Sequence, residues 1–207
     1  MKTLYLMRHS KPLNVNNEQN SDSLQIQNEK KTLSIEGEEI AKNRFNNKEF
    51  DNIDVVFSSN YVRAIQTAKY LSEKNDLEIN VVSELGERKF GITSCDELPE
   101  KFERKQFLEE DYKIGDGESQ KEVRDRMYNA IMKILDESDN KRIAIVSHGT
   151  AISYLLKKWC KIEIVNDTLE YSFNGKIILH GYFNYCEAFK LEFDDNNEII
   201  DINNISF

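Results

Sequence analysis

The chain has 207 residues, 39% of them hydrophobic and 31% charged, the composition of a folded globular domain with a substantial core rather than of a disordered chain. Its 37 acidic residues against 28 basic ones give a formal net charge of -9, which excludes nucleic acid held by a general basic surface but leaves room for a small phosphorylated partner met by locally concentrated positive charge. Cys95, Cys160 and Cys186 are widely spaced with no C-x-x-C pair, so neither a disulfide framework nor a zinc site is expected; the N-terminus lacks a leader pattern and no apolar run approaches the roughly 18 residues of a span, so a cytoplasmic protein without a membrane partner is expected.

Leu4 to Met7 reads as a short buried strand that ends on Arg8 and His9, with Ser10, Lys11 and Pro12 turning the chain. In α/β folds, ligands sit beyond the carboxyl ends of the strands, so this Arg-His pair stands where a substrate would land. Asn14 to Lys31 reads as a polar loop. Ser34 then precedes a helix over 35–45 with Ile35, Ile40, Ala41 and Phe45 along one face. Ile53 to Phe57 is a second strand, Ser58, Ser59 and Asn60 are candidate N-caps, and the following YVRAIQTAKYL carries apolar residues at helical spacing.

Ile79 to Val82 is a third strand. From about Gly86 to Gly117 the chain is charged and irregular, with one short helix expected near Glu100 to Glu110. Glu118 to Glu137 gives the clearest helix, with Val123, Met127, Ile131, Ile134 and Leu135 on one stripe. Arg142 to Val146 is a buried strand followed by a helix from about Thr150 to Cys160, and the runs Lys176–Leu179, Cys186–Phe193 and Ile199–Ile202 close the chain as strands. Alternating strands and helices predict a three-layer α/β/α fold with a mostly parallel central sheet, as one domain over 1–207 with a capping insertion at about 88–117.

On this frame three strand ends deliver Arg8-His9, Ser58-Ser59 with Arg63 in the next helical turn, and Ser147-His148-Gly149 to one edge of the sheet. Two guanidinium forks, two imidazoles and free helix N-termini suit a tetrahedral dianion such as phosphate.

The motifs LYLMRHS, VVFSSNYVRAIQTA, LGERKFG, DGES and IVSHGTAI, in this order, resemble the histidine phosphatase superfamily, also called the phosphoglycerate mutase-like family, from Lys2 to about Leu155. The segment NYCEAFKLEFD resembles the last core strand of that family. The resemblance implies a phosphoglycerate mutase-like fold and a phosphohistidine route without metal or other cofactor. His9 would attack phosphorus, Arg8, Arg63 and His148 would clamp the non-bridging oxygens, and Glu87 would be the proton donor, with Glu84 as its alternative. A neutral imidazole is needed for attack; the flanking arginines should depress the pKa of His9, and an Nδ1–H bonded to a backbone carbonyl would aim Nε2 at the substrate.

Asn14 is expected to join the phosphate-binding set, and further substrate contacts are expected at Ser10, Arg88, Ser119 and Thr150. Ser10 and Pro12 depart from the glycine and the threonine or serine commonest in the family motif, and the family asparagine is not aligned, although Asn14 and Asn16 flank its place. Ser119 reads more readily as a helix cap than as a substrate contact, and His180 and Cys95 read as structural. Leaving-group selectivity would fall to the insertion, where Phe102, Phe107 and Tyr112 offer apolar surface and Arg88, Lys101, Arg104 and Lys105 offer cations.

The leading expectation is a phosphomonoester phosphatase of the histidine acid phosphatase type acting on a small phosphorylated metabolite, with a homodimer allowed for. A cofactor-dependent phosphoglycerate mutase is the alternative that LGERKFG favours, against which stand Phe90, the lack of an Arg-Arg pair in the insertion and the short chain. A non-catalytic phosphate-binding module is the third reading.

Overall fold

The computed structural model describes residues 1–14, 23–138 and 141–205. The strands are β1 (Lys2–Arg8), β2 (Val55–Ser58), β3 (Ile79–Val81), β4 (Arg142–Ser147), β5 (Lys161–Val165), β6 (Thr168–Phe173), β7 (Lys176–His180), β8 (Ala188–Phe193) and β9 (Ile199–Asn204). The helices are α1 (Leu24–Lys30), α2 (Ile35–Phe45), α3 (Val62–Asn75), α4 (Phe102–Leu108), α5 (Gln120–Asp136) and α6 (Gly149–Leu156).

Successive side chains of a strand point to opposite faces, and β1 shows what that does when both faces are covered. Leu4 and Leu6 join a core with Val123, Met127 and Ile131 of α5 and Ile152 and Leu155 of α6. Tyr5 and Met7 join the opposite core with Ala41 and Phe45 of α2 and Ala64, Ala68 and Leu71 of α3. All four β1 side chains are fully buried, each aliphatic one contributing about 1.5–3 kcal/mol. The run is therefore uniformly apolar instead of alternating.

The six-stranded sheet has the order β3-β2-β4-β1-β8-β9. β1, β2, β3 and β4 are mutually parallel, and β8 and β9 close the sheet antiparallel. With helices on both faces this is the expected three-layer α/β/α architecture. Register fixes the chemistry: Arg8 lies opposite Ser147 and Ser58 opposite Val146, so the three strands release their chains at one edge.

Helix ends follow local rules in two places. Ser34 caps α2 by accepting the Gly37 N–H, and Ser119 starts α5 in a reciprocal capping box with Glu122. The expected short helix of the 88–117 segment is α4, and the expected helix after His148 stops at Leu156 rather than reaching Cys160.

Two features depart from the sequence reading. α1 lies inside the stretch read as a polar loop; it buries no side chain, so no apolar stripe marked it, and Ser23 caps it through the Ile26 N–H. The second is an antiparallel meander, β5-β6-β7, of which only the β7 run was expected. Its signal was present: Ile162, Ile164, Leu169, Tyr171 and Phe173 recur at every second position around Asn166-Asp167. Asn166 and Asp167 have φ of 50° and 60°, and Asn174 and Gly175 have 48° and 81°, the left-handed pairs of tight two-residue hairpins. Tyr171, Phe173 and Ile178 seat the meander on the α5–α6 side of the core. Among the described residues no helix is long and apolar enough to cross a membrane.

Candidate active site

His9 follows β1, its backbone N–H bonded to Ser147 O at 2.9 Å. The ring is 5% exposed. Nδ1 donates to Ser10 O at 2.7 Å, and since a carbonyl only accepts, the proton sits on Nδ1 and the lone pair on Nε2. Nε2 accepts the Arg63 Nε–H at 3.0 Å. Burial first, and then the charges of Arg63 and Arg8, hold the imidazole well below its usual range, with the Ser10 bond opposing them. His9 is therefore neutral, its lone pair turned into the site.

The turn after His9 is locked from below. Ser10 donates its N–H to Thr67 Oγ1 at 3.0 Å and its hydroxyl to Gly37 O at 2.6 Å. A Cβ on Gly37 would lie 2.0 Å from Lys11 O, so only glycine lets the first turn of α2 approach this loop. Ser10 was expected to contact substrate; with both donors committed to the protein it anchors the loop that carries His9 instead.

His148 precedes α6 and is fully buried. Its Nδ1 accepts from Arg63 Nη2 at 3.2 Å, which leaves the proton on Nε2, 2.7 Å from Ser59 Oγ. Burial first, then His9 and Arg63, keep this imidazole too well below its usual range. The two rings are 5.0 Å apart between centroids. Ser59 was read as a helix cap, but the N-cap of α3 is Tyr61 without a side-chain cap bond. Its hydroxyl instead orients His148, a role that no local pattern announces because the partner lies 89 residues away.

Arg63 ties the site together. It stands in the first turn of α3, where a cation opposes the helix dipole, yet it is only 4% exposed. One guanidinium donates to both imidazoles and, through Nη1, to Asn28 O of α1. Arg8 donates to Phe183 O and lies 4.6 Å from the centre of the Tyr185 ring, while its Nε is buried without a hydrogen-bond partner among the described residues.

Glu87 is held at the N-terminus of α6. Its carboxylate accepts the N–H groups of Thr150 at 3.3 Å, Ala151 at 3.0 Å and Arg88 at 2.9 Å. The helix dipole favours an anion there. Thr150 thus serves the site through its backbone. Glu84, the alternative, is exposed and bonded to the Ser83 hydroxyl at 2.9 Å.

Two expected substrate contacts are committed to protein partners. Arg88 is 2% exposed and turned into the protein, bonded to both oxygens of Glu103 at 2.8 and 3.0 Å and to Gln106 Oε1 at 2.6 Å. A buried guanidinium needs such partners, and the exposed α4 carboxylate provides them. Ser119 spends its hydroxyl on the Glu122 N–H at 3.2 Å, so it caps α5 instead of reaching a ligand. Asn14 is exposed, and Asn16 lies outside the described residues, as does the Cys95 side chain. His180 ends β7 at the surface. Of the insertion residues, Phe102 is buried against Phe90 and Tyr112, whereas the exposed Arg104 and the half-buried Phe107 line a cavity.

Cavities flank the assembly on two sides. One, of about 390 Å³, is walled by Arg8, Gly149 and Thr150; the other, of about 280 Å³, by Tyr61, Glu87 and Arg126. No three His, Cys, Asp or Glu side chains among the described residues are grouped to hold a metal ion. The arrangement offers one oriented neutral nucleophile, a convergent set of N–H donors and a fixed carboxylate.

Residues 4–183 match the family model of the histidine phosphatase superfamily, branch 1. Solved structures share the fold at low identity. Mycobacterial glucosyl-3-phosphoglycerate phosphatase with inorganic phosphate superposes with a TM-score of 0.71 at 17% identity, covering 100% of this chain and 97% of that one. YhfR of Bacillus stearothermophilus gives 0.68 at 20% identity over 97% and 95% of the two chains. A phosphoserine phosphatase variant of Entamoeba histolytica in complex with phosphoserine gives 0.66 at 17%, over 98% and 96%. No curated protein sequence matches the chain.

Proposed function

The chain belongs to the histidine phosphatase superfamily, branch 1, and from that premise we propose that it is a phosphomonoesterase working through a phosphohistidine on His9. The observation that carries this reading is the bridging of His9 and His148 by Arg63, with the Nε2 lone pair of a neutral His9 facing the guanidinium.

An incoming phosphoryl group draws the N–H donors of Arg63 onto its own oxygens, which frees the lone pair they covered. Arg8 and His148 complete the clamp. For His148 to donate from Nδ1 its proton must leave Nε2, and the Ser59 hydroxyl 2.7 Å away can reverse from acceptor to donor to allow this. The His9 Nε2–P bond forms as the P–O bond to the alcohol breaks, and Glu87 supplies the proton that the leaving oxygen needs. In the second half Glu87 takes a proton from water, whose oxygen displaces His9. Because charge is spread over the phosphoryl oxygens, the preorganised donors carry most of the rate, each worth about 3–4 kcal/mol.

The first test is phosphate release, with EDTA present, from a panel of phosphomonoesters that includes 3-phosphoglycerate with and without 2,3-bisphosphoglycerate. Release that disappears in His9→Ala is the expected result. Isomerisation without release would replace the hydrolase by a mutase, and activity retained in His9→Ala would remove the nucleophile assignment.

A further inference from the structure

The larger cavity beside the catalytic edge is built from parts outside the β1, β2 and β4 strand ends. Its inner wall is Arg8 with Gly149 and Thr150; its far wall comes from Phe107 of α4 and from Ile164, Leu169 and Tyr171 of the β5–β7 meander, with Tyr182 at the rim. At about 390 Å³ it lies within the range of small-molecule sites.

The charge on its wall does not favour a second anion. Glu103 is bound through both oxygens to Arg88. Arg104 faces Asp167 at 3.6 Å. Apart from Arg8, which belongs to the phosphoryl group, these are the charged residues on the cavity wall among the described residues. Against the one guanidinium of Arg104 stand the carboxylates of Glu103 and Asp167, so beyond Arg8 the wall carries net negative charge, which disfavours a second anionic group of a substrate. The hydroxyls of the inner wall also turn to protein partners: Ser153 Oγ pairs with Tyr171 OH at 2.7 Å, and Tyr154 OH donates to Gln106 Oε1 at 3.1 Å. Ring faces and aliphatic carbon make up most of what remains, with the hydroxyls of Thr150, Thr168 and Tyr182 as neutral polar groups.

Position adds to this: Thr150 lines this cavity while its N–H holds the carboxylate of Glu87, which itself lines the smaller cavity, so the candidate acid stands between the two. The smaller cavity, by contrast, sets three carboxylates, Glu29, Glu84 and Glu87, against two cations, Lys89 and Arg126, and has Tyr61 as its one aromatic wall residue.

We propose that the larger cavity is a leaving-group subsite for an uncharged alcohol with an apolar or aromatic body, selecting its phosphomonoesters over those that bear a second anion. This rests on the phosphatase reading above. The test compares kcat/KM for ethyl phosphate, 3-phenylpropyl phosphate and 3-phosphoglycerate, with p-nitrophenyl phosphate and His9→Ala as controls. Ethyl and phenylpropyl alkoxides are similar leaving groups, so their ratio reads the cavity rather than the chemistry. One methylene in an apolar pocket is worth roughly tenfold, so phenylpropyl phosphate should exceed ethyl phosphate by about tenfold or more, with 3-phosphoglycerate at or below ethyl phosphate.

Leu169→Asp and Tyr182→Ala should each shrink that ratio, and Tyr182, 81% exposed, can be removed without harm to the core. A ratio near one with His9-dependent hydrolysis of ethyl phosphate, a preference for 3-phosphoglycerate, or a ratio unmoved in both variants would overturn the subsite and leave the phosphatase standing. Release from none of the esters would remove both readings together.

Discussion

Replacing Arg88 by methionine separates a structural arginine from a substrate-binding one. The guanidinium is 2% exposed, bonded to Glu103 and Gln106, and lies 4.3 Å from the Phe90 ring centre and 5.1 Å from that of Phe102. Methionine keeps much of the stem packing but loses the charge. Glu103 is 66% exposed, so its carboxylate returns to water at little cost, and the full penalty of about 3–5 kcal/mol for stranding a buried charge does not apply. Gln106 Oε1 keeps the Tyr154 hydroxyl at 3.1 Å. Of the three hydrogen bonds lost, the one to Gln106 goes without replacement by water, together with two ring contacts, while the buried Arg88 Nε, which has no partner among the described residues, offsets part of the loss. Together these give about 2–3 kcal/mol, or roughly 4–12 °C in Tm for a domain of this size. Urea unfolding and thermal scans measure the first quantity. Kinetics with p-nitrophenyl phosphate, corrected for folded fraction, measure whether catalysis moves with it. A fall in kcat/KM of more than about tenfold at unchanged stability would refute the argument and return Arg88 to the substrate.

Glu87→Gln should cost alkyl phosphates on the order of a hundredfold or more in kcat while costing p-nitrophenyl phosphate far less, because nitrophenolate leaves without a proton; equal losses would move the acid role elsewhere. Ser59→Ala strands the His148 Nε2–H in a buried site, an expected loss of roughly tenfold to a hundredfold in kcat/KM that Ser59→Thr should largely restore. Failure of threonine to do better than alanine would argue against the hydroxyl as the positioning group. Both His9 and His148 are held well below their usual range, chiefly by burial. The unfolded chain takes up protons on both below about pH 6.5 and the folded chain does not, so this stability is fully present above that pH and is lost as pH falls below it. Between pH 7.5 and 5.5 the loss should be about 2–3 kcal/mol in urea unfolding, and it should be absent from a His9→Gln, His148→Gln double variant; the same slope in both proteins would contradict neutral buried imidazoles.

The candidate catalytic set was legible in the chain because the α/β rule converts strand ends into a site. A buried run ending on Arg8-His9, another on Ser147-His148 and a helical first turn with Arg63 fall at one edge as soon as the strands are parallel. Periodicity was enough for α2, α3 and α5, whose apolar stripes are long, and for β1 and β4, buried on both faces. Local polar pattern also announced the caps at Ser34 and Ser119.

Tertiary structure alone decided which polar residue serves which partner, since a hydroxyl or guanidinium carries no mark of where it will be spent. Ser10 and Arg88 looked like ligand contacts because they neighbour His9 and Glu87 in the chain. Folding commits one to Gly37 and Thr67 and the other to Glu103 and Gln106. Ser59 looked like a cap and became the support of His148. α1, with no buried side chain, could not be seen from hydrophobic pattern, and the cavity beside Arg8 exists only where α4 and the meander, about 60 residues apart in sequence, meet over α6. The sequence by itself determined the fold class and the chemistry of the strand ends, because backbone geometry and burial are local demands repeated along the chain. The surroundings that tune and select at those ends come from long-range contacts, and these exist only once the chain has folded.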